Sequence, residues 1–354
     1  MKRLFSVQPH TFTGLHCGIA LLIGLLTFGV VQAQNAIPIL SVVGHQAYFG
    51  GTTNEVQIQI SAETPVSGRL GHSLLVNDRS IEVRERELSL KPGEPQVLSL
   101  PVTFPDVKPG AIYPAELSIS FIATGANQVS TNIRTRIWLF PADAFADQSR
   151  LMKELDLGLF DPAEKTAQCF KDAGIQFEII PRTEALRTTS HQTLVIGEGL
   201  NLKEYREFDH LLLELAEQGK TVILFAPVGG EIGLSSVPPN DGTPLPQSMI
   251  FKRLDIIREL DKRLDSGEWS PNREILASTL VLQGNHADVE GRIEAGKDPA
   301  GWPWVDLHWK NGGRLLICGF AIVDPWDINP SPRYLLLRML ESCREQTNKQ
   351  GGRE

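Results

Sequence analysis

The stretch TVILFAPVGGEIGL (residues 221–234) reads as a buried strand that breaks into a glycine-rich turn and then resumes. Upstream of it, apolar runs alternate with helical segments: LGLFDP leads into AEKTAQCFKDAG, and TLVIG leads into the predicted helix 202–218. Strands and helices that alternate in this way build a parallel sheet with helices on both faces. Residues 141–344 are therefore predicted to form an α/β domain of the flavodoxin-like or Rossmann-like class.

Three further segments complete this predicted domain. SMIFKRLDIIRELDKRLD (residues 248–265) carries apolar residues at helical spacing and predicts one amphipathic helix. WVDLHWKNGGRLLICGF predicts two strands joined at the Asn-Gly-Gly of residues 311–313. SPRYLLLRMLESC predicts a helix capped by Ser331, and residues 345–354 are predicted to be a polar tail.

Residues 34–140 follow a different period. In NEVQIQISAE the residues Val56, Ile58 and Ile60 fall on one side of a strand, and AELSISFIA repeats the pattern. Alternation with period two, interrupted by Gly, Pro, Asn and Asp, is typical of strands packed on one face. Several such runs over about a hundred residues predict an immunoglobulin-like β-sandwich.

Residues 1–33 have the features of a secretory signal peptide. Lys2 and Arg3 precede the uncharged apolar run 18–31, and Ala33 fits the small-residue rule for cleavage before Gln34. The alternative is a retained membrane anchor, although the run is shorter than the roughly 20 apolar residues that a spanning helix needs. We expect a chain that is exported to the periplasm or secreted, with no membrane span after the signal is removed.

Charge and cysteine usage exclude several function classes. The formal net charge of -8 repels phosphate backbones and anionic lipid, so nucleic acid is not an expected partner. The exported chain keeps Cys169, Cys318 and Cys343, an odd number that indicates no disulfide framework, although one pair could form. No cysteine has the spacing of a zinc site, and we expect no metal and no cofactor.

Ligands in open α/β sheets bind at the carboxyl ends of strands, which points to the turns after TLVIG and TVILFA. A nucleophile elbow needs Ser or Cys at such a turn, but residues 227–231 contain neither. GEGLNL lacks the third glycine of a dinucleotide-binding loop, so we interpret Gly199 as a turn residue and Asn201 as a helix cap. The candidate ligand-binding residues at these turns are Gly197, Glu198, Gly229, Gly230 and Glu231.

Four of the six tryptophans fall within residues 302–326. Exposed Trp side chains stack on sugar rings and anchor interfaces, whereas Trp in a strand usually covers a core. We expect core positions for Trp304 and Trp309. Trp302 and Trp326 are the candidates for exposure and for ligand binding.

Two sets of segments together resemble a known pair of domains. SGRLGHSLLVNDRSIEVRERELSL, TFPDVKPGAIYPAELSISFIATG and RTRIWLFPADAF resemble the β-sandwich accessory domain of bacterial glycoside hydrolases of the β-galactosidase, sugar-binding family 2 type. LGLFDP, TLVIGEGL, GKTVILFAP and GGRLLICGFAIVDPWDINPSPRYLLLRML resemble the adjoining class I glutamine amidotransferase-like domain. The resemblance covers nearly all of the exported chain and implies a role linked to carbohydrate processing.

The reactive groups that this resemblance implies are missing. A working glutamine amidotransferase has Cys in a G-x-C-x-G elbow and a downstream His-x-Glu, and neither occurs here; no residues remain for a catalytic barrel, which needs about 250. The sequence therefore predicts a secreted, non-catalytic accessory or binding protein with a carbohydrate or protein partner. Two alternatives stay open: a hydrolase that uses Glu231, Asp324 or Asp327 with or without a metal, and a scaffold of an envelope assembly.

Overall fold

Eight strands near the N-terminus form a two-sheet β-sandwich. The computed structural model describes residues 37–124, 129–235, 246–265, 275–283, 289–295 and 302–351. The strands of the sandwich are β1 (Ile39–Val43), β2 (Ala47–Phe49), β3 (Thr53–Ser61), β4 (Val66–Val76), β5 (Arg79–Leu90), β6 (Gln96–Thr103), β7 (Tyr113–Ala123) and β8 (Ser130–Phe140). One sheet has the order β1-β3-β6 and the other the order β2-β8-β7-β4-β5.

The alternating residues of these strands fill the space between the two sheets. The predicted inward-facing residues of β3 and β7 are all fully buried and belong to one apolar cluster: Val56, Ile58, Ile60, Leu117, Ile119 and Phe121. Burial of one face of each strand is what stabilises a sandwich of this kind. The predicted sandwich is therefore confirmed as a pair of packed sheets.

The rest of the chain is built around a seven-stranded sheet with helices on both faces. Its elements are α1 (Ser149–Leu155), β9 (Leu157–Phe160), α2 (Lys165–Asp172), β10 (Glu178–Ile179), α3 (Thr183–Thr188), β11 (Thr193–Ile196), α4 (Phe208–Glu217), β12 (Thr221–Phe225), β13 (Glu231–Ser235), β14 (Ser248–Lys252), α5 (Asp255–Leu260), β15 (Ile275–Gln283), β16 (Val289–Ala295), β17 (Trp304–His308), β18 (Arg314–Cys318) and α6 (Pro330–Gly351). The order is β10-β9-β11-β12-β18-β17-β14, while β13, β15 and β16 form a separate three-stranded sheet.

The first five strands of the large sheet are parallel, β17 runs antiparallel to β18, and β14 runs antiparallel to β17 at the edge of the sheet. The predicted hairpin of β17 and β18 is confirmed, with its turn at residues 311–313. Gly313 is required there because a Cβ would collide with the carbonyl oxygen of Ala216 at the end of α4. This turn therefore fixes the hairpin against a helix on one face of the sheet.

The prediction of one amphipathic helix over residues 248–265 is wrong. Residues 248–252 form strand β14, which pairs with β17 so that Ile250 lies opposite Asp306, and only the short helix α5 follows. Hydrogen bonding to the sheet edge outweighs a helical spacing of apolar residues, because local propensity is a weak constraint beside tertiary pairing.

Two other helix boundaries differ from the sequence prediction. The predicted helix 202–218 is a 3₁₀ turn, Leu202–Glu204, followed by α4. Helix α6 continues to Gly351, beyond the predicted start of the tail, and the side chain of Asn329 caps its first turn by accepting from the Ser331 N–H at 2.7 Å. Ser331 instead accepts from the backbone N–H of Asp265 at 2.9 Å.

All described residues belong to a single structural unit, and buried polar contacts join the sandwich to the α/β region. The carboxylate of Asp265 is buried and accepts from the N–H groups of Gln46 at 2.8 Å and Ala47 at 3.0 Å, at the start of β2. The guanidinium of Arg333 donates to the Ala142 carbonyl at 2.6 Å and lies 4.7 Å from the ring centroid of Phe49. These contacts fix the sandwich against α6.

The predicted signal peptide, residues 1–33, lies outside the described residues. Among the helices of the described part of the chain, none has the length and apolar character that crossing a bilayer requires. Cys169, Cys318 and Cys343 are buried and form no disulfide with one another. Cys318 and Cys343 lie within the apolar core.

Candidate functional site at the strand ends

The carboxyl ends of β9, β11, β12 and β18 lie side by side in the parallel part of the sheet. In such sheets this edge is where ligands bind. The residues that follow directly are Asp161 after β9, Gly197 and Glu198 after β11, and Ala226 after β12. The sequence predicted Gly197 and Glu198 as site residues, but it did not predict Asp161 or Ala226 as site residues.

The Glu198 side chain is buried and connects two of these strand ends. Its Oε2 accepts from the N–H groups of Ile322 at 2.6 Å and Val323 at 2.7 Å, and its Oε1 accepts from that of Asp324 at 3.4 Å. Burial raises the pKa of Glu198, and these three backbone donors oppose the increase. Both carboxylate oxygens are thus engaged by the loop after β18.

Asp161 has a similar role at the end of the neighbouring strand, β9. Its Oδ2 accepts from the N–H of Ala167 at 2.8 Å in α2, and burial raises the pKa of the carboxyl group. Gly197 passes so close to this carboxyl that a Cβ would come within 2.7 Å of its Cγ. The Thr166 hydroxyl accepts from the N–H of Glu198 at 2.9 Å. The turn after β11 is therefore held against α2 and has no room for a side chain at Gly197.

The strained position after β12 is Ala226, one residue before the turn that the sequence singled out. Its φ is +27°, which is unusual for a residue with a Cβ, and it is fully buried. Its N–H donates to the Cys318 carbonyl at 2.6 Å, and its carbonyl accepts from the Gly199 N–H at 3.2 Å. A nucleophile elbow places Ser or Cys at such a strained position, whereas Ala226 has only a methyl group.

The loops after β11 and β12 are hydrogen-bonded to each other. The Val228 N–H donates to the Leu200 carbonyl at 2.9 Å, and the Leu202 N–H donates to the Val228 carbonyl at 3.3 Å. Gly230 packs onto this contact, since a Cβ there would lie 2.6 Å from that of Leu202. Gly229 likewise faces Asn201, whose predicted role as a cap is confirmed. These contacts hold the two loops against each other.

The five candidates at the two turns therefore do not converge. Glu198 points towards the loop after β18, and Gly229 and Gly230 face the β11 loop. Glu231 begins β13 in the separate sheet and is exposed. Ligand binding by Gly197, Glu198, Gly229, Gly230 and Glu231 stays a prediction.

An open cleft of about 410 Å³ lies beside this edge, between α2 and the loop after β18. Both acidic and basic side chains surround it, together with one thiol and one indole. Its lining residues are Ala163, Glu164, Lys165, Gln168, Cys169, Asp172, Val323, Trp326 and Asp327. Burial raises the pKa of the Cys169 thiol to about 12, so it is protonated at neutral pH. Of these residues, the sequence had proposed only Trp326 and Asp327 as possible site residues.

The expected exposure of Trp326 is wrong, because its side chain is 7% exposed. Its ring stacks on Phe145 with centroids 6.3 Å apart, and the Arg333 guanidinium lies 5.2 Å from its centroid. Arg333 also forms an ion pair with Asp327 at the rim of the cleft. Trp326 thus lines the cleft and contacts Phe145 and Arg333 near the junction with the sandwich, a placement that no local pattern encodes.

Trp302 lies elsewhere and is half-buried. Its ring centroid is 5.5 Å from that of Phe251 in β14, and the Arg253 guanidinium lies 4.7 Å from its centroid. Trp304 and Trp309 are buried, as expected. Within the described part of the chain, no group of three or more His, Cys, Asp or Glu side chains is placed to hold a metal ion.

No protein-family model and no curated protein matches the chain. It is weakly similar to solved structures, among them a glycosyl hydrolase family 2 member from Bacteroides cellulosilyticus, with 12% identity over 58% of this chain and 36% of that one, at a TM-score of 0.21. A calcium-binding mutant of β-glucuronidase 2 from Bacteroides uniformis has 14% identity over 55% of this chain and 36% of that one, at 0.20.

The sporulation control protein Spo0M from Bacillus subtilis is also similar, with 12% identity over 39% of this chain and 55% of that one, at a TM-score of 0.21. The chain thus covers about half of Spo0M and about a third of each glycosidase. Likenesses this weak do not assign a function, which has to be argued from the geometry of the strand ends.

Proposed function

We propose that this chain is an exported, non-catalytic accessory or binding protein whose ligand occupies the cleft between α2 and the loop after β18. The observation that carries the proposal is the chemistry of the strand ends. The strained position after β12 is Ala226, and the two buried acids, Asp161 and Glu198, both accept from backbone N–H groups. Acids engaged in this way position loops and are poorly placed to act on a substrate.

The order of the five parallel strands supports a flavodoxin-like fold for the α/β region. Numbered along the chain from β9, these strands have the spatial order 2-1-3-4-5, which is the flavodoxin order. Such an order is also compatible with the resemblance of the sequence to amidotransferase-like domains of family 2 glycosidases. We therefore propose that the ligand is a carbohydrate.

The cleft offers groups that suit a sugar. Lys165, Gln168 and Asp172 lie on the exposed side of α2, and the Gln168 amide donates to Asp172 at 2.8 Å. Amide, ammonium and carboxylate groups hydrogen-bond to the hydroxyl groups of a sugar. The open shape of the cleft fits the end or side of a glycan chain.

Binding to a glycan array, followed by calorimetry on any hit, tests this proposal. Lys165→Ala and Gln168→Ala should each weaken binding by about tenfold, which corresponds to one lost hydrogen bond of about 1.4 kcal/mol. Lys171→Ala is the matched control, because Lys171 is an exposed lysine of the same helix outside the cleft. Equal affinities in all three variants would refute this cleft as the site.

The second candidate is a hydrolase, and one observation favours it: the carboxylate of Asp327 lines the cleft, as does the ammonium of Lys165. Its carboxylate is paired with Arg333, and a carboxylate is one of the groups that act as a general base. The hydrolase would be established if the wild-type protein hydrolysed a glycoside or an amide, if Asp327→Asn lost this activity, and if Asp324→Asn kept it.

Export belongs to the same proposal. The basic residues and the apolar run at the N-terminus support cleavage before Gln34. Intact mass spectrometry of the protein recovered from a periplasmic extract should then give the mass of residues 34–354. Recovery of the uncleaved chain in the membrane fraction would instead favour the anchor.

A further inference from the structure

Strand β14 is an edge strand with apolar side chains in contact with solvent. Among the described strands it pairs only with β17, so one row of its backbone N–H and C=O groups faces outwards. Met249 is 42% exposed and Ile250 is 40% exposed, on opposite faces of the strand. An exposed apolar edge is a template for pairing with another strand, and proteins normally protect such edges.

The edge strand β5 of the sandwich has that protection. It carries the consecutive charges Arg84, Glu85, Arg86 and Glu87. A two-fold axis at Glu85, near its middle, would place Glu85 opposite its own copy and Arg84 opposite Arg86. Like charges directly opposite each other destabilise a pair of antiparallel strands. The middle of β5 therefore resists pairing with a second copy.

The sequence of β14 has the opposite property. We propose that a second copy of this chain pairs with β14 in antiparallel orientation about a two-fold axis at Ile250. Met249 of one copy then lies opposite Phe251 of the other, and Ser248 lies opposite Lys252, so no like charges meet.

The single charge of β14 is already neutralised within its own chain. The Lys252 ammonium lies 2.7 Å from the Glu259 carboxylate in α5. Pairing at β14 therefore brings no uncompensated cation into the contact, and it joins the two seven-stranded sheets into one continuous sheet. Because an isologous contact of this kind closes on itself, the expected product is a dimer without further growth.

The oligomeric state of the protein purified after expression of the full-length chain tests this contact. Light scattering after size exclusion at about 50 µM should give the mass of a dimer, since association follows mass action. Ile250→Lys places two ammonium groups opposite each other at the axis and should give a monomer. Val83→Lys, at a 66% exposed position of the edge strand β5, is the matched control and should remain dimeric.

A cross-link decides the register even if Ile250→Lys fails to fold. Directly opposite residues of antiparallel strands have Cα atoms about 4.5–5.5 Å apart, within the range that a disulfide spans. Oxidised Ile250→Cys should therefore run as a covalent dimer on a non-reducing gel, whereas Val83→Cys should not. A monomeric wild-type protein, or a cross-link in Val83→Cys alone, would overturn the proposal. Neither result depends on the ligand of the cleft.

Discussion

The β-sandwich and the strand ends of the α/β region are held together by different kinds of contact. In the sandwich, apolar side chains alternate into one core and the charged pairs lie on the surface, as in Arg69 and Glu85, which are 3.3 Å apart and more than half exposed. At the strand ends, Asp161 and Glu198 are buried and accept from backbone N–H groups. The two buried acids at the strand ends hold loops in place. An acid that acts on a substrate could occupy the same position, so the hydrogen-bond partners, and not the position, indicate the role.

The largest expected effect concerns the core of the sandwich. Phe121→Ala removes a fully buried ring between the sheets and should lower the free energy of unfolding by about 4 kcal/mol. Urea unfolding measures the loss. Ser120→Ala, the adjacent residue on the outer face of β7, should stay within about 0.5 kcal/mol. A loss below about 1 kcal/mol for Phe121→Ala would mean that the inward-facing residues of the alternating pattern do not stabilise the sandwich.

The next effect concerns the strand ends. Glu198→Ala leaves the N–H groups of Ile322 and Val323 buried without acceptors and should cost about 3 kcal/mol in the same measurement. Glu198→Gln should cost less, because its amide oxygen still accepts. The control is Glu231→Ala, an exposed acid, with an expected change within about 0.5 kcal/mol. Equal stabilities for Glu198→Ala and Glu231→Ala would remove the distinction between the two regions.

A smaller loss is expected at the junction between the regions. Asp265→Ala removes the acceptor for the N–H groups of Gln46 and Ala47 and should cost about 2 kcal/mol. It should also speed limited proteolysis of residues 141–148, which connect β8 to α1. Glu63→Ala, an exposed acid of the sandwich, serves as control. Unchanged proteolysis would show that Asp265 does not fix the two regions together.

The smallest expected effect is on the pH dependence of folding stability, to which two buried acids, Glu198 and Asp306, contribute with opposite sign. Burial raises the pKa of Glu198, so the folded state binds more protons than the unfolded state, and this contribution to stability falls as pH rises above the usual pKa of 4.5. At Asp306 burial is outweighed by hydrogen bonds from His308 and Arg314, which lower its pKa. Its contribution is therefore lost as the pH falls through that lowered pKa.

Urea unfolding between pH 3 and pH 7 separates the two acids. The stability advantage of wild type over Glu198→Gln should shrink as pH rises, whereas the advantage over Asp306→Asn should grow. The same trend in both variants would contradict the assigned environments. Buffers of equal ionic strength keep the surface charges comparable.

The sequence predicts the sandwich and the β17–β18 hairpin well because their signals are local: period two in one, Asn-Gly-Gly in the other. It fails for residues 248–252, where the sheet edge supplies hydrogen bonds that the helical spacing of Ile250 and its neighbours does not reveal. The candidate site is predicted only partly. Glycines and Glu198 follow strands as expected, but the partners of Glu198 lie 124 to 126 residues away.

The sequence does not predict the open cleft beside α2 either, again because the residues involved lie far apart in the chain. Its lining residues come from two segments far apart in sequence, and only the strand order brings them together. The strained residue Ala226 has no sequence signal either, since nothing in FAP distinguishes Ala226 from any other residue after a strand. Backbone strain is visible only in three dimensions.

The central claim is that the strand-end region binds a ligand but catalyses no reaction. The most direct test is to measure substrate turnover by the purified protein. Wild type, Glu198→Gln and Asp327→Asn should be assayed against a panel of glycosides, amides and esters. We predict the background rate for all three proteins with every substrate. Hydrolysis by wild type that disappears in Glu198→Gln or Asp327→Asn, while the variant remains folded, would contradict this account.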